Sequence, residues 1–339
     1  MRVAVVGAGV MGAATARALA RAGHEVTVLE QFSVGHARGS SHGATRVFRF
    51  SYPVPEYVRM AMEALELWRE LEQETGEDLL RTTGGLDAGK ALDDHVAALH
   101  ECGAECEVLD RDEATARFPW LRPDEGPLLF QPDGGVTSAE RAVQAFLRSA
   151  SARGATLRER TKVASVREDG DGVLVETPGG TIEADVAVVT AGGWVRELAA
   201  PLGIDVPVRP TRETVAYFEF DEPRVTTLVE WGDPSTYCLP SGPGVLKAGE
   251  HQAGATTDPD EEGQVDQASV ARLSEWVARR FPAANPDPID AETCIYTNTP
   301  DDHFVLERHG NVVIGSPCSG HGFKFAPLIG KRLADLTKR

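Results

Sequence analysis

The sequence predicts an α/β protein in which a Rossmann-type domain is interleaved with a discontinuous, strand-rich α+β domain. Three junctions between an apolar strand and a glycine-rich turn support this prediction, and they lie near residues 7, 192 and 315. The stretches between them consist mainly of short apolar runs separated by turn residues. One nucleotide-binding domain therefore draws on the start, the middle and the end of the chain, and a second domain is inserted twice.

The first junction has the glycine spacing of a dinucleotide-binding turn. An apolar strand precedes Gly7, Gly9 and Gly12, and a helix rich in Ala and Leu follows them. These glycines permit a tight turn, close approach of the backbone to a diphosphate, and close packing of the helix on the strand. Glu30 ends the next strand, where its carboxylate can accept hydrogen bonds from ribose hydroxyls. The same run has the charge and hydropathy of a signal peptide, but its glycine spacing favours folded structure.

Composition narrows the function classes. The 339 residues suffice for one large domain or two ordinary ones. The chain has 52 acidic and 34 basic residues, a net charge of -18, which disfavours binding to nucleic acid or to an anionic membrane surface. The five cysteines are an odd number, and Cys102 and Cys106 have no zinc-type partner pair. We therefore expect no metal site and a cytoplasmic location.

Periodicity and turn residues predict the elements of the first half. Residues 33–53 read as a loop with a short extended piece. An amphipathic helix follows from Pro55 to Glu77. Ser138 is expected to open another helix and to cap it with its hydroxyl.

The second half begins with a predicted β meander over residues 163–189, whose last strand enters the turn at Gly192. Residues 206–252 are strand-rich, and a helix is expected from Asp266 to Phe281. A strand and a Gly/Ser loop ending at Gly322 precede the last helix.

These assignments divide the chain into two domains, and we expect ligands to bind at the interface between them. The nucleotide-binding domain is assigned residues 1–80, 137–205 and 303–339, and the substrate domain residues 81–136 and 206–302.

Six motifs occur in a characteristic order. Besides the first glycine pattern with Glu30, they are GSSHGATRVFR at 39–49, TAGGW at 190–194, KAGEH at 247–251, CIYTNTPDDHF at 294–304 and SGHGFKF at 319–325. In these motifs the sequence resembles the monomeric sarcosine oxidase and N-methyltryptophan oxidase family, within the D-amino-acid-oxidase-like flavoproteins. The resemblance covers nearly the whole chain, and the last two motifs are its specific part.

The resemblance implies FAD rather than NAD, joined to the protein through a cysteine thioether. It also implies a monomer that oxidises a secondary amino acid, N-methylated or cyclic, by hydride transfer to flavin N5. The products would be an imine and, after O₂ accepts the electrons, H₂O₂. The chain ends 15 residues after Lys324, earlier than expected for the family, so we expect its terminal packing to differ.

Roles for individual residues also follow from the resemblance. Cys294 is implied to carry the flavin, Arg49 and Lys324 to bind the substrate carboxylate, and Lys247 to lie near flavin N5 and promote the reaction with O₂. The resemblance also implies positions lining the substrate cavity and the cofactor. Those of the substrate cavity are Tyr237, Tyr296 and His251, and those beside the isoalloxazine or along the cofactor are His42, Thr45, Arg46, Gly192, Gly320 and Gly322.

The chemistry of these side chains agrees with those roles but leaves alternatives. Arg offers a bidentate fork and Lys a compact charge, so Arg49 and Lys324 could together orient one carboxylate. A surface ion pair for Arg49 and a solvent position for Lys324 are the alternatives. Chemistry alone also allows Cys318, in the last glycine loop, as the flavin attachment site.

Rival functions use the same fold. One is a flavin dehydrogenase or a biosynthetic oxidase of an unusual cyclic amine. Another is a flavin-bearing subunit of a hetero-oligomer without turnover of its own.

Overall fold

A computed structural model describes residues 1–124 and 126–338. Its α-helices are α1 Val10–Arg21, α2 Pro55–Thr75, α3 Leu92–Glu101, α4 Arg111–Arg117, α5 Ala139–Ser151, α6 Val195–Ala199, α7 Gln267–Arg280 and α8 Ala326–Leu336. Short 3-10 turns cover Gly192–Trp194, Ala200–Leu202 and Phe323–Phe325.

The strands fall into four sheets. In chain order they are β1 Arg2–Val6, β2 Glu25–Leu29, β3 Thr45–Phe48, β4 Leu80–Thr82, β5 Gly85–Gly89, β6 Glu107–Leu109, β7 Leu128–Gln131, β8 Gly135–Ser138, β9 Thr156–Arg158, β10 Ser165–Asp169, β11 Gly172–Thr177, β12 Gly180–Ala184, β13 Val186–Val189, β14 Arg209–Glu219, β15 Thr227–Trp231, β16 Ser235–Pro240, β17 Val245–His251, β18 Ala255–Thr256, β19 Pro288–Asn298, β20 Val305–His309 and β21 Val312–Ser316.

A six-stranded sheet brings the three glycine junctions together. Its order is β20-β21-β13-β1-β2-β9, and every neighbouring pair is parallel except β20 and β21. Alternate residues of β1 belong to two cores: Val3 and Val5 pack with α1, α5 and α8, whereas Ala4 and Val6 pack on the opposite side. Burial on both faces explains why the strands are almost continuously apolar. The α/β Rossmann-type prediction is confirmed.

The opposite face of this sheet is covered by an antiparallel sheet of β10, β11 and β12. The predicted β meander over 163–189 is therefore wrong in its last strand. Residues 186–189 leave the meander and pair with β1 and β21 instead. The reason is their composition, because Val-Ala-Val-Val can be buried on both faces, whereas the meander strands alternate.

A nine-stranded sheet forms the second large layer. Its path is β18-β14-β17-β16-β15-β5-β7-β6, and β19 also pairs with β14. Helix α7, close to the helix predicted from Asp266 to Phe281, packs on it through Leu273, Trp276 and Val277. A small sheet of β3, β8 and β4 joins this layer to the helices of the first.

The helix predicted from Pro55 ends two residues early, where Gly76 adopts a left-handed conformation with φ 69°. Ser138 does precede α5, but its side chain makes no capping hydrogen bond, so that detail is wrong. Within residues 1–124 and 126–338, no helix has the length and hydropathy needed to cross a membrane. Helix α8 packs against α1 where Gly330 faces Ala14.

Candidate functional site

A large cavity of about 630 Å³ lies between the parallel sheet and the nine-stranded sheet. Residues from all three glycine junctions line it, and so do residues from β15, β16, β17 and β19. Its lining includes Glu30 beside the first glycine turn, and also Arg49 and Lys324, which both contact Tyr52. A volume of this size suits an organic cofactor or a large ligand.

The N-terminal glycine turn has the geometry that a diphosphate needs. Gly7 has φ +97°, and a Cβ there would lie 2.6 Å from the carbonyl oxygen of Thr190. A Cβ on Gly12 would lie 1.9 Å from the carbonyl oxygen of Gly7. Helix α1 then begins at Val10 with no acidic residue in its first turn, and the Val10 N–H donates to the hydroxyl of Ser41 at 3.0 Å. Its N-terminus is therefore a suitable place for phosphate groups.

Glu30 lies at the carboxyl end of β2, as expected, and is buried. Its two oxygens accept hydrogen bonds from the backbone N–H groups of Ala8, at 2.8 Å, and Phe32, at 2.9 Å. These bonds fix the carboxylate beside the glycine turn, where remaining lone pairs can accept from a ribose.

The other two junctions also bring backbone close to the cavity. Gly192 has φ +53° and open space around it. A Cβ on Gly320 would lie 2.3 Å from the Tyr296 ring, and one on Gly322 would lie 1.7 Å from the carbonyl oxygen of Pro317. All three glycines line the cavity.

Arg49 is buried between two aromatic rings. Its guanidinium carbon lies 4.1 Å from the centre of the Tyr52 ring and 4.9 Å from that of Trp231. Its Nη1 has no hydrogen-bond partner among the described residues. A buried donor without a partner costs free energy unless a ligand satisfies it, so this nitrogen marks a position for an acceptor.

Lys324 is a second buried cation in the lining of the cavity. Its Nζ donates to the hydroxyl of Tyr52 at 2.9 Å and to the carbonyl of His321 at 2.7 Å. Burial, and then the charge of Arg49, hold the pKa of Lys324 well below its ordinary value. Tyr52 therefore contacts both cations, and the surface positions considered for Arg49 and Lys324 are wrong.

The cavity wall between the two sheets is aromatic and neutral. Tyr237 and Tyr296 are hydrogen-bonded to each other, and burial raises the pKa of both. The ring of His251 lies 5.7 Å from that of Tyr296. Burial and the charges of Arg49 and Lys324 lower the pKa of His251 to about 4. These three side chains therefore add no charge near neutral pH.

The motif 39–49 surrounds the middle of the cavity. Arg46 donates to the carbonyl oxygens of Ser40, at 2.9 Å, and His42, at 2.7 Å, so it braces the loop. Thr45 contacts the Ser241 hydroxyl at 3.3 Å. His42 is buried, and its Nε2 lacks a hydrogen-bond partner within the described ranges.

Lys247 lies on β17, buried, in an anionic setting that the sequence did not suggest. Its Nζ is 3.4 Å from Oε1 of Glu292, which also accepts from the hydroxyl of Tyr217. Burial and the charge of Arg46 lower the pKa of Lys247 to about 8, although Glu292 opposes this. Burial would raise the pKa of Glu292, but bonds from His42 and Tyr217 and the charge of Lys247 lower it to about 2.

Two thiols line the cavity, and all five cysteines are free. Cys294 is buried on β19, and its burial raises the pKa of the thiol, whereas Arg46 and Lys247 oppose this. Cys318 lies in the last glycine loop, where its sulfur accepts from the N–H of Thr297 at 3.3 Å.

Sequence reasoning missed several side chains of this site: Tyr52, Asp87, Trp231 and Glu292. One of them was detectable. Glu292, Cys294 and Tyr296 alternate along β19, so a strand with period two places all three on one face. Tyr52 and Trp231 carry no comparable signal, because their positions depend on how distant strands pair.

Comparison with known proteins agrees with this geometry. The model of a family described as FAD dependent oxidoreductase matches residues 2–336. The chain belongs to this family. FAD fits the residues present, because the glycine turn, the start of α1 without an acidic residue and Glu30 suit a dinucleotide, and Cys294 and Lys247 line the same cavity.

Relatives within the FAD-dependent oxidoreductases share nearly the full length. The chain is 36% identical to the peroxisomal sarcosine oxidase of Homo sapiens, over 99% of this chain and 91% of the relative. It is 35% identical to a monomeric sarcosine oxidase of Bacillus sp. (strain B-0618), over 99% and 91%. The structure of NikD, an unusual amino acid oxidase essential for nikkomycin biosynthesis, superimposes with a TM-score of 0.89 at 29% identity, over 99% of this chain and 93% of NikD. The chain is thus a sarcosine-oxidase-like flavoenzyme, and the resemblance seen in its motifs is confirmed.

The lowered pKa of Lys324 predicts that binding an anion is linked to binding a proton. The empty site loses the ammonium charge as pH rises through the lowered pKa, and a bound carboxylate restores it. Cyclopentanecarboxylate, which has no amine to oxidise, should therefore bind with proton uptake, and its affinity should fall as pH rises. Titration calorimetry in buffers of different protonation enthalpy measures the uptake. Lys324→Met should abolish the proton uptake, and the control Lys331→Met, at an exposed lysine, should retain it. A wild-type binding heat that is the same in every buffer would contradict the prediction.

Proposed function

We propose that this flavoenzyme is an oxidase of small secondary amino acids, N-methylated or cyclic, with O₂ as the electron acceptor. The observation that carries the proposal is the pair Arg49 and Lys324, buried at one end of the cavity and both in contact with Tyr52. Two cations with a free donor favour an anionic group, and a carboxylate matches their geometry. Binding at a fixed anchor would orient the rest of the substrate along the cavity.

The same charges set the protonation state of the substrate. An amine must be neutral to give up a hydride from the adjacent carbon, because its lone pair forms the new C–N π bond. Arg49 and Lys324 disfavour an ammonium group nearby. His251, with a pKa of about 4, is neutral near physiological pH and adds no competing charge. Arg49 and Lys324 therefore both anchor the carboxylate and favour the reactive form of the amine.

The proposed reaction converts CH–NH into C=N. The carbon loses a hydride and the nitrogen a proton, and water then hydrolyses the imine. Bound FAD supplies the acceptor for the hydride and the route by which both electrons reach O₂, which takes up two protons to give H₂O₂.

Lys247 is proposed to act on O₂. Reduction of O₂ begins with an electron that leaves negative charge on oxygen, and a buried ammonium stabilises that charge strongly. The Lys247 side chain lines the cavity and is held by Glu292. The charges of Lys247 and of the braced Arg46 both act on the thiol of Cys294, so Lys247 lies near the proposed flavin attachment site.

FAD is proposed to be covalently attached through Cys294. Cys294 and Cys318 both line the cavity, and the charges of Arg46 and Lys247 favour the thiolate of Cys294. The motif that begins at Cys294 supports the same choice. We also propose a monomer, a cytoplasmic location in keeping with the five free thiols, and the two-part division of the chain given by the sequence.

Substrate class is tested by mixing the purified protein with candidate amino acids without oxygen. N-methyl and cyclic secondary amino acids should bleach the flavin absorbance, and their amides, which lack the carboxylate, should not. Admitting air should then restore the absorbance and release one H₂O₂ per turnover. Bleaching without peroxide would favour a dehydrogenase, and no bleaching by any of them would refute the proposal.

The flavin link is tested by acid precipitation. The wild type should keep its yellow colour in the pellet, as should Cys318→Ala, whereas Cys294→Ala should release all of its flavin. The reverse pattern in the two variants would move the attachment to Cys318, and complete release from the wild type would exclude a covalent link.

The role of Lys247 is tested in each half of the reaction. Lys247→Met should slow reoxidation by O₂ about a hundredfold and leave anaerobic reduction by substrate nearly unchanged. Because the lowered pKa is about 8, reoxidation by the wild type should fall as pH rises through that value and the ammonium is lost. Stopped-flow absorbance measures both rates, and Lys331→Met serves as the control. A variant that slows both halves equally would argue against this role.

A further inference from the structure

A buried carboxylate lies behind the carboxylate anchor. Asp87 is 2% exposed and lies on β5, which pairs with β15 so that Trp231 and Asp87 belong to adjacent strands. Its Oδ1 accepts from the indole Nε1 of Trp231 at 2.8 Å. Burial raises the pKa of Asp87, whereas the charge of Arg49 and the hydrogen bonds from Trp231 and Ser51 favour its ionised form.

Further polar groups complete the surroundings of Asp87. The hydroxyl of Ser51 hydrogen-bonds its carboxylate and also lies 2.8 Å from Nδ1 of His95. Because a carboxylate only accepts, the hydroxyl donates to Asp87 and His95 donates to the hydroxyl. The ring of His95 lies 5.1 Å from that of Trp231. Burial and the charge of Arg49 lower the pKa of His95 to about 4, so it adds no charge.

Trp231 connects this network to the cavity. One side of its indole faces the guanidinium of Arg49 at 4.9 Å, and its N–H is held by Asp87. The indole also lines the cavity. The orientation of the indole that faces Arg49 thus depends on the carboxylate of Asp87. Asp87 does not itself line the cavity, so a ligand there would not contact it.

We infer that Asp87 is a positioning residue for Arg49. It holds the Trp231 indole against the guanidinium and supplies a countercharge that limits how tightly Arg49 and Lys324 bind a carboxylate. The inference rests on the proposed carboxylate site. Arg49 and protonated Lys324 bring two positive charges, and Asp87 cancels one, so a single ligand carboxylate balances the remaining charge. The site then suits amino acids with one carboxylate rather than two.

The sign of the effect separates this role from a purely structural one. Asn at position 87 keeps an oxygen for the indole N–H but removes the negative charge. If Asp87 competes with the ligand for Arg49, the variant Asp87→Asn must bind carboxylates more tightly. A group needed only for packing would weaken all ligands alike.

The experiment measures dissociation constants of cyclopentanecarboxylate and of its uncharged carboxamide, by calorimetry on the flavin-loaded protein. In Asp87→Asn the preference for the carboxylate over the carboxamide should rise about tenfold, the scale of one charge acting within a protein. An unchanged or lower preference would overturn the inference. A wild type without any preference would instead overturn the carboxylate site, and this inference with it.

A second variant decides the matter if Asp87→Asn does not fold. Trp231→Phe keeps an aromatic wall but removes the N–H donor, which leaves Arg49 as the stronger partner of Asp87. The preference for the carboxylate over the carboxamide should then fall severalfold, opposite in direction to the change in Asp87→Asn. Because the two ligands have the same shape, their ratio is insensitive to the loss of contact area at position 231. A preference that stays constant or rises would overturn the inference.

Discussion

The burial of two like charges at one end of a cavity is the constraint on which this site depends. Arg49 and Lys324 are 9% and 4% exposed, and removing a charge from water is costly unless it gains partners. The fold supplies these partially: two aromatic faces and Asp87 for Arg49, and a hydroxyl and a carbonyl for Lys324. One guanidinium nitrogen of Arg49 still lacks a hydrogen-bond partner among the described residues, and the pKa of Lys324 is lowered. Both features favour the binding of an anion.

Distant parts of the chain meet to make this arrangement. Arg49 follows β3 and Asp87 lies on β5, whereas Trp231 ends β15 and Lys324 lies in the turn before α8. The parallel sheet fixes the cofactor end, since its glycine junctions all open toward the same cavity. The nine-stranded sheet supplies the neutral aromatic wall and Lys247. The cavity thus lies between two structural units, a common place for a ligand site.

Much of this could be predicted from the sequence, and the limits have physical causes. Glycine spacing and apolar runs predicted the parallel sheet, because a strand buried on both faces and a tight turn each demand particular residues. Turn residues led to the assignment of residues 186–189 to the antiparallel meander, although their continuous apolar composition matches the parallel sheet in which they lie. The motifs identified Arg49, Lys324 and Lys247, but not Asp87, Glu292 or Trp231. The contacts of those three residues depend on which strands lie next to each other, and local periodicity does not predict strand pairing.

The claim at the centre of this account is that one carboxylate is bound jointly by Arg49 and Lys324. A crystal structure of the flavin-loaded protein with cyclopentanecarboxylate tests it most directly. The carboxylate should lie within hydrogen-bond distance of both Nη1 of Arg49 and Nζ of Lys324, with the ring directed along the cavity. A carboxylate bound elsewhere in the cavity, or held by neither cation, would contradict it.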